Sequence, residues 1–174
     1  MLKVLLFGNL GSGKSHLAER FIQRHPIYEH VAIDAFRRTH GDGTMAGERT
    51  AKECFILSVL PGMPQLIEAT GLGETGVLLA ERLDAMEEHM LIVLLTTPLE
   101  RCLTRLEQRI WDVPYPAPPE EALELARRTD AFIKAGEVEM IWDRAGRTQL
   151  IKGDCSDERS MNELLERMEH HLLK

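Results

Sequence analysis

The chain has 174 residues, 44% of them hydrophobic and 28% charged, and its 21 basic against 28 acidic side chains leave a formal net charge of -7. That size and balance describe a single globular domain, 1–174, with apolar side chains enough for one core, and they exclude a disordered or fibrous chain. A general positive field that would attract nucleic acid or anionic lipid is excluded too, so nucleic acid is not a favoured partner.

Residues 4–7 form a short apolar run closed by Gly8, which predicts a strand buried on both faces. Residues 15–24 carry Leu17, Phe21 and Ile22 at helical spacing with Pro26 just beyond, and predict a helix. A second strand is expected over 29–33, a helix over 46–60 before Pro61-Gly62, and a third strand at Leu66-Ile67 ahead of Gly71. Arg38, His40 and Asp42 fall between elements and are expected in a loop. Residues 75–89 predict an amphipathic helix and 91–95 the most apolar strand, and Thr96-Thr97-Pro98 then starts a helix running to about residue 110. The stretch 112–119 holds four of the eight prolines and predicts a stiff extended connection, a lid or hinge spanning about 98–120. Beyond it come a helix over 120–135, a helical piece through Trp142, a last strand over 149–152 and a closing helix over 157–173. Strands alternating with helices imply a parallel α/β sheet with right-handed crossovers, whose ligand site lies beyond the carboxyl ends of the strands.

Gly8-Asn9-Leu10-Gly11-Ser12-Gly13-Lys14-Ser15 matches G-x-x-x-x-G-K-[ST] between the first strand and first helix. Glycines there let backbone N–H groups surround a β-phosphate, Lys14 reaches the β- and γ-phosphates, and Ser15 can ligate magnesium. These eight residues are the expected nucleotide site, together with His16 beside them. Asp34 and Arg37 follow the second strand three residues apart, on one face if the chain turns helical. An aspartate so placed can orient and deprotonate an acceptor hydroxyl while the arginine holds the acceptor. Glu68 ends the third strand, where it holds a magnesium-bound water, replaces Asp34 as base, or is a satisfied loop carboxylate. Arg101, Arg105 and Arg109 recur every fourth residue in a stripe opposite Leu103, Leu106 and Ile110, either a solvated face or a lid bringing arginines over the triphosphate. Trp111 and Tyr115 either stack on a base or anchor the hinge, and 152–156 either lines an adenine site or is a plain turn.

Taken together these residues resemble the P-loop kinases, in particular the branch of polynucleotide 5′-hydroxyl kinases, zeta-toxin-like kinases and related small-molecule kinases. The likeness is carried by the loop 8–15, by Asp34-Ala35-Phe36-Arg37, by Glu68-Ala69-Thr70, and by Arg105 and Arg109 ahead of Val113-Pro114. It implies a P-loop NTPase three-layer α/β/α sandwich whose five-stranded parallel sheet runs 2-3-1-4-5 under a small helical lid. It further implies ATP with Mg2+ as donor, Asp34 as general base, Arg37 on the acceptor or its phosphate, and Arg109 as stabiliser of the transition state. The sequence departs from the polynucleotide kinase pattern in having Glu at 68 and a glycine-rich 71–73.

The function expected is transfer of the γ-phosphate of ATP to a hydroxyl or monophosphate of a small molecule, such as a nucleoside or nucleotide. A 5′-hydroxyl polynucleotide kinase and a regulatory NTPase or nucleotide-dependent binding module are the alternatives. Cys54, Cys102 and Cys155 are odd in number and far apart, and the opening apolar run is too short for a signal peptide, which points to the cytoplasm. No run approaches the ~20 apolar residues of a membrane helix. Acceptor and oligomeric state are left open.

Overall fold

The computed structural model describes residues 2–116, 118–143 and 147–172. The ends of the expected domain, the last residue of its closing helix, and Ala117 of the proline-rich stretch lie outside them. The elements in chain order are β1 (Leu2–Gly8), α1 (Lys14–Arg24), β2 (Glu29–Ala32), α2 (Ile33–His40), α3 (Met45–Leu57), β3 (Gln65–Glu68) and α4 (Gly73–Ala85). They continue with β4 (His89–Leu95), α5 (Leu99–Glu107), α6 (Pro119–Lys134), α7 (Glu137–Trp142), β5 (Thr148–Gly153) and α8 (Glu158–Leu172).

All strand pairs are parallel and the sheet runs β2-β3-β1-β4-β5. The run in β1 needs two apolar faces because a strand's side chains alternate. Val4 and Leu6 pack with Leu17, Ala18 and Phe21 of α1 and with Met161, Leu164, Leu165 and Met168 of α8. Leu5 and Phe7 face the other way, onto Phe55 of α3, Leu79 and Leu83 of α4, and Val138 and Trp142 of α7. Phe7 and Trp142 lie 4.6 Å apart between ring centroids, and the indole N–H donates to the Gly71 carbonyl at 2.9 Å. The result is a three-layer α/β/α sandwich with every strand's carboxyl end on one edge.

Several boundaries differ from the sequence expectation. Residues 33–40 are helical, so Arg38 and His40 stand on α2, and only Asp42 lies in the turn to α3. The helix expected over 75–89 ends at Ala85, because Glu87 takes a positive φ of 55° and redirects the chain into β4. Similarly α5 stops at Glu107, which breaks the proposed stripe: Cys102 and Leu106 face the core, whereas Ile110 is 85% exposed and Arg109 has left the helix. Within the expected lid, helix is confined to α5 and the start of α6, and 108–116 has no helix.

At the amino end of the sheet Lys3 is fully buried. Its ammonium donates to the carbonyls of Leu60 and Met63 at 2.5 and 2.6 Å and to Gln65 Oε1 at 3.0 Å, so all three protons have acceptors. Among the described residues no helix is long and apolar enough to cross a membrane.

Candidate active site

The loop between β1 and α1 is shaped by what a side chain would strike. Gly11 has φ 72°, and a Cβ there would lie 2.5 Å from the Cys102 carbonyl oxygen; Gly13 has φ 98° and serves as N-cap of α1. A glycine N-cap provides no side-chain acceptor, so the first turn of α1 has no side-chain cap, an arrangement that can take an anion with the helix dipole behind it. Lys14 Nζ reaches back across the loop to the carbonyls of Gly8 and Asn9 at 3.1 and 2.7 Å. Burial pushes its ammonium below the ordinary lysine range, opposed by Glu68 and Asp34. Ser12 is buried and its hydroxyl has no hydrogen-bond partner among the described residues, which leaves a donor inside the cradle.

Two residues brace this loop from outside. Thr97, just past β4, donates to the Ser12 carbonyl at 2.8 Å and accepts from Cys155 N–H at 3.2 Å. Arg105 donates to the carbonyl of Gly11 at 3.2 Å and to those of Cys155 and Ser156 at 2.7 and 3.1 Å. Arg105 thus spends its charge on tying the phosphate loop to the turn after β5.

Facing the loop across a cavity of about 300 Å³ is a cluster built on α2. Since α2 begins directly after β2, Asp34 and Arg37 come one turn apart at the carboxyl edge of the sheet. Arg37 Nη1 donates to Asp34 Oδ1 at 2.9 Å, while its Nε and Nη2 grip both oxygens of Glu48 at 2.8 and 2.7 Å. Glu48 is brought there by α3, whose cap Thr44 accepts from Gly47 N–H at 3.1 Å and fixes the first turn. Lys52 lies 3.3 Å from the same carboxylate. From the irregular segment after α5, Arg109 Nη2 donates to Asp34 Oδ2 at 3.1 Å and the Tyr115 hydroxyl to Asp34 Oδ1 at 2.8 Å. The guanidinium carbon of Arg37 sits 4.7 Å from the Tyr115 ring centroid.

These contacts set the charge states. Burial alone would raise the Asp34 pKa, but the Tyr115 hydroxyl and the two guanidiniums outweigh it and hold the carboxyl below its usual range. Burial also acts against Arg37 and Arg109, and their acidic partners more than compensate, so both are held more firmly charged. The Tyr115 hydroxyl, buried beside the Asp34 carboxylate, is pushed up to about 12 and stays a donor.

Glu68 occupies the remaining corner. Its Oε1 accepts from Ser15 Oγ at 2.6 Å and its Oε2 lies 2.9 Å from His30 Nε2. Lys14, Ser15, Asp34, Arg37, Glu68, Arg105 and Arg109 all line one cavity with Leu10, Gly11, Ser12, Gly13 and His16. Gly8 and Asn9 enter through their carbonyls, the Asn9 amide being turned away to the Ala126 carbonyl at 2.8 Å. Arg101 is exposed on α5 and is not part of the lining. Sequence reasoning missed Glu48, Lys52, His30 and the bracing role of Thr97, none of which belongs to a local motif. Tyr115 was visible only as an aromatic among prolines.

No family model and no curated protein matches the chain. Solved structures do. A shikimate kinase from Bacteroides thetaiotaomicron superposes with a TM-score of 0.65 at 14% identity over 99% of both chains. A shikimate kinase from Acinetobacter baumannii in complex with shikimate gives 0.63 at 15% identity, over 98% of this chain and 92% of that one. A gluconokinase from Sinorhizobium meliloti 1021 gives 0.58 at 17% identity, over 98% of this chain and 95% of that one. Likeness at such identities establishes the fold, and the expected P-loop architecture with strand order 2-3-1-4-5 is the one observed. The polynucleotide kinase branch of the sequence resemblance gains no specific support from these matches.

Proposed function

We propose that the chain is an ATP-dependent kinase of small molecules, carried by one observation: a glycine-rich loop at the N-terminus of α1 and an aspartate bonded by two arginines face each other across one cavity. The kinase names of the structural neighbours support the same reading. The first turn of α1 and Lys14 hold the β- and γ-phosphates. Ser15 and Glu68 present adjacent oxygens, the hard donor set that suits Mg2+, and they would hold it directly or through water. When bound with the nucleotide, that ion neutralises charge on the phosphates.

The acceptor hydroxyl is oriented by Asp34. Its oxygen forms a bond to the γ-phosphorus, the bond from that phosphorus to the bridging oxygen of ADP breaks, and the hydroxyl proton passes to Asp34. A carboxylate with a depressed pKa serves here because phosphoryl transfer runs through a loose transition state, in which the nucleophile keeps its proton until the new bond is well formed. Arg109 meets the charge that spreads over the transferring group, and Arg37, anchored by Glu48, holds the acceptor side. We assign no role at the phosphates to Arg101, and Arg105 acts through the loop that it braces.

The test is phosphorus NMR of ATP, Mg2+ and protein with hydroxy acids, sugars, nucleosides or nucleoside monophosphates. A new phosphate ester, or a phosphoanhydride where the acceptor is a monophosphate, with stoichiometric ADP is the expected result. ATP that neither binds nor turns over with any of these would overturn the reading.

A further inference from the structure

Asp34 is more fully occupied than a waiting base needs to be. A carboxylate has about four lone-pair positions. Arg37 and Tyr115 both donate to Oδ1, at 2.9 and 2.8 Å, and Arg109 donates to Oδ2 at 3.1 Å. Of these donors only Tyr115 is a hydroxyl, the group an alcohol acceptor would itself present. Its ring belongs to the non-helical 108–116 segment and is held by cation-π contacts, Arg37 at 4.7 Å and Arg109 at 5.9 Å, and by Trp111 edge-on at 5.9 Å. A ring held by such contacts can withdraw without unfolding a helix or strand.

We propose that Tyr115 is a specificity-determining residue that guards the base against water: its hydroxyl fills the acceptor hydroxyl's place on Asp34 until an acceptor displaces it. The proposal rests on the kinase reading above. Water that takes this place exchanges one hydrogen bond for another and gains nothing further. An acceptor brings the rest of its body into the cavity wall of Ile33, Ala69, Thr70 and Leu125, and that binding energy moves the ring aside. The avoided reaction has a simple balance. Water oxygen would bond to the γ-phosphorus, the bond to ADP would break, a water proton would pass to Asp34, and ADP and inorganic phosphate would leave.

The experiment measures hydrolysis of ATP-Mg without any acceptor, beside calorimetric ATP binding, in the full-length protein. Tyr115→Phe keeps the ring against Arg37 and removes only the hydroxyl. Its hydrolysis should rise about tenfold over wild type, the equivalent of one hydrogen bond at 1.4 kcal/mol per factor of ten. ATP affinity should be unchanged. The double variant Tyr115→Phe with Asp34→Asn should lose the rise, which a merely structural tyrosine would not predict. Bound ATP with hydrolysis equal to or below wild type in Tyr115→Phe overturns the guard and leaves the kinase reading standing. Label from γ-phosphate recovered on Tyr115 would make it an acceptor and also overturns the guard, whereas absence of ATP binding in wild type overturns both.

Discussion

Asp34 carries the sharpest consequences of any single residue. Its carboxyl is depressed in the folded protein, so the stability it contributes is present above the unfolded carboxylate value of about 3.9 and is lost only as pH falls through the lower folded value. Between pH 5 and 8 it should therefore not titrate, and an acid limb of phosphoryl transfer near pH 6 would have to belong to another group. Carbon NMR of the aspartate carboxyls can follow this directly, and an Asp34 midpoint above 5 would contradict the hydrogen-bond pattern described here. Lys3 offers a separate check at the far end of the sheet. Replacing it by Ala removes the ammonium from the carbonyls of Leu60 and Met63, leaves Gln65 Oε1 with the Leu60 N–H, and opens a void beneath them, which should cost roughly 2–4 kcal/mol in urea unfolding. A loss below about 0.5 kcal/mol, the range of ordinary surface substitutions, would mean that water replaces the ammonium freely.

At the scale of elements, α5 and the segment after it divide two arginines that the sequence put on one stripe. Arg105 is still helical and bonds three carbonyls, two of them in the turn after β5; Arg109 lies past the end of the helix and meets Asp34. Arg105→Ala should accordingly weaken ATP binding about tenfold by loosening the loop, with a smaller effect on the rate at saturation. Arg109→Ala should leave ATP affinity within about twofold and lower the rate at saturation by 10²-fold or more, as expected for a group that engages developing charge. Steady-state kinetics of the two variants would tell them apart, and identical profiles would return both residues to one role. The stripe misled because periodicity assumes that the helix continues, and no proline or glycine marks its end at Glu107. By contrast β1 and the phosphate loop were legible at once, since a buried parallel strand and a glycine-rich turn each leave a local pattern. Glu48 was not, because its meeting with Arg37 depends on how the turn at 41–44 folds α3 back on α2, and no local spacing encodes that.

Over the whole molecule, the strand order could be stated from resemblance to a family, and the sheet follows it because its two apolar faces demand helices on both sides. The same order places the ends of β1, β2 and β3 side by side, which is why residues from 8–15, Asp34 and Glu68 meet although they are far apart in the chain. What the order does not determine is the cavity wall of Ile33, Ala69, Thr70 and Leu125, where α2, the turn after β3 and α6 meet by long-range packing. The central claim is that the phosphate loop binds ATP and Asp34 serves the acceptor, and it is tested most directly by separating binding from transfer. Mg-ATP affinity and transfer to any acceptor found by phosphorus NMR should be measured together for wild type, Lys14→Ala and Asp34→Asn. The account predicts that Lys14→Ala loses both, and that Asp34→Asn binds ATP within about twofold of wild type while transfer falls by 10²-fold or more. Transfer at the wild-type rate in Asp34→Asn, or unaltered ATP binding and transfer in Lys14→Ala, would contradict it.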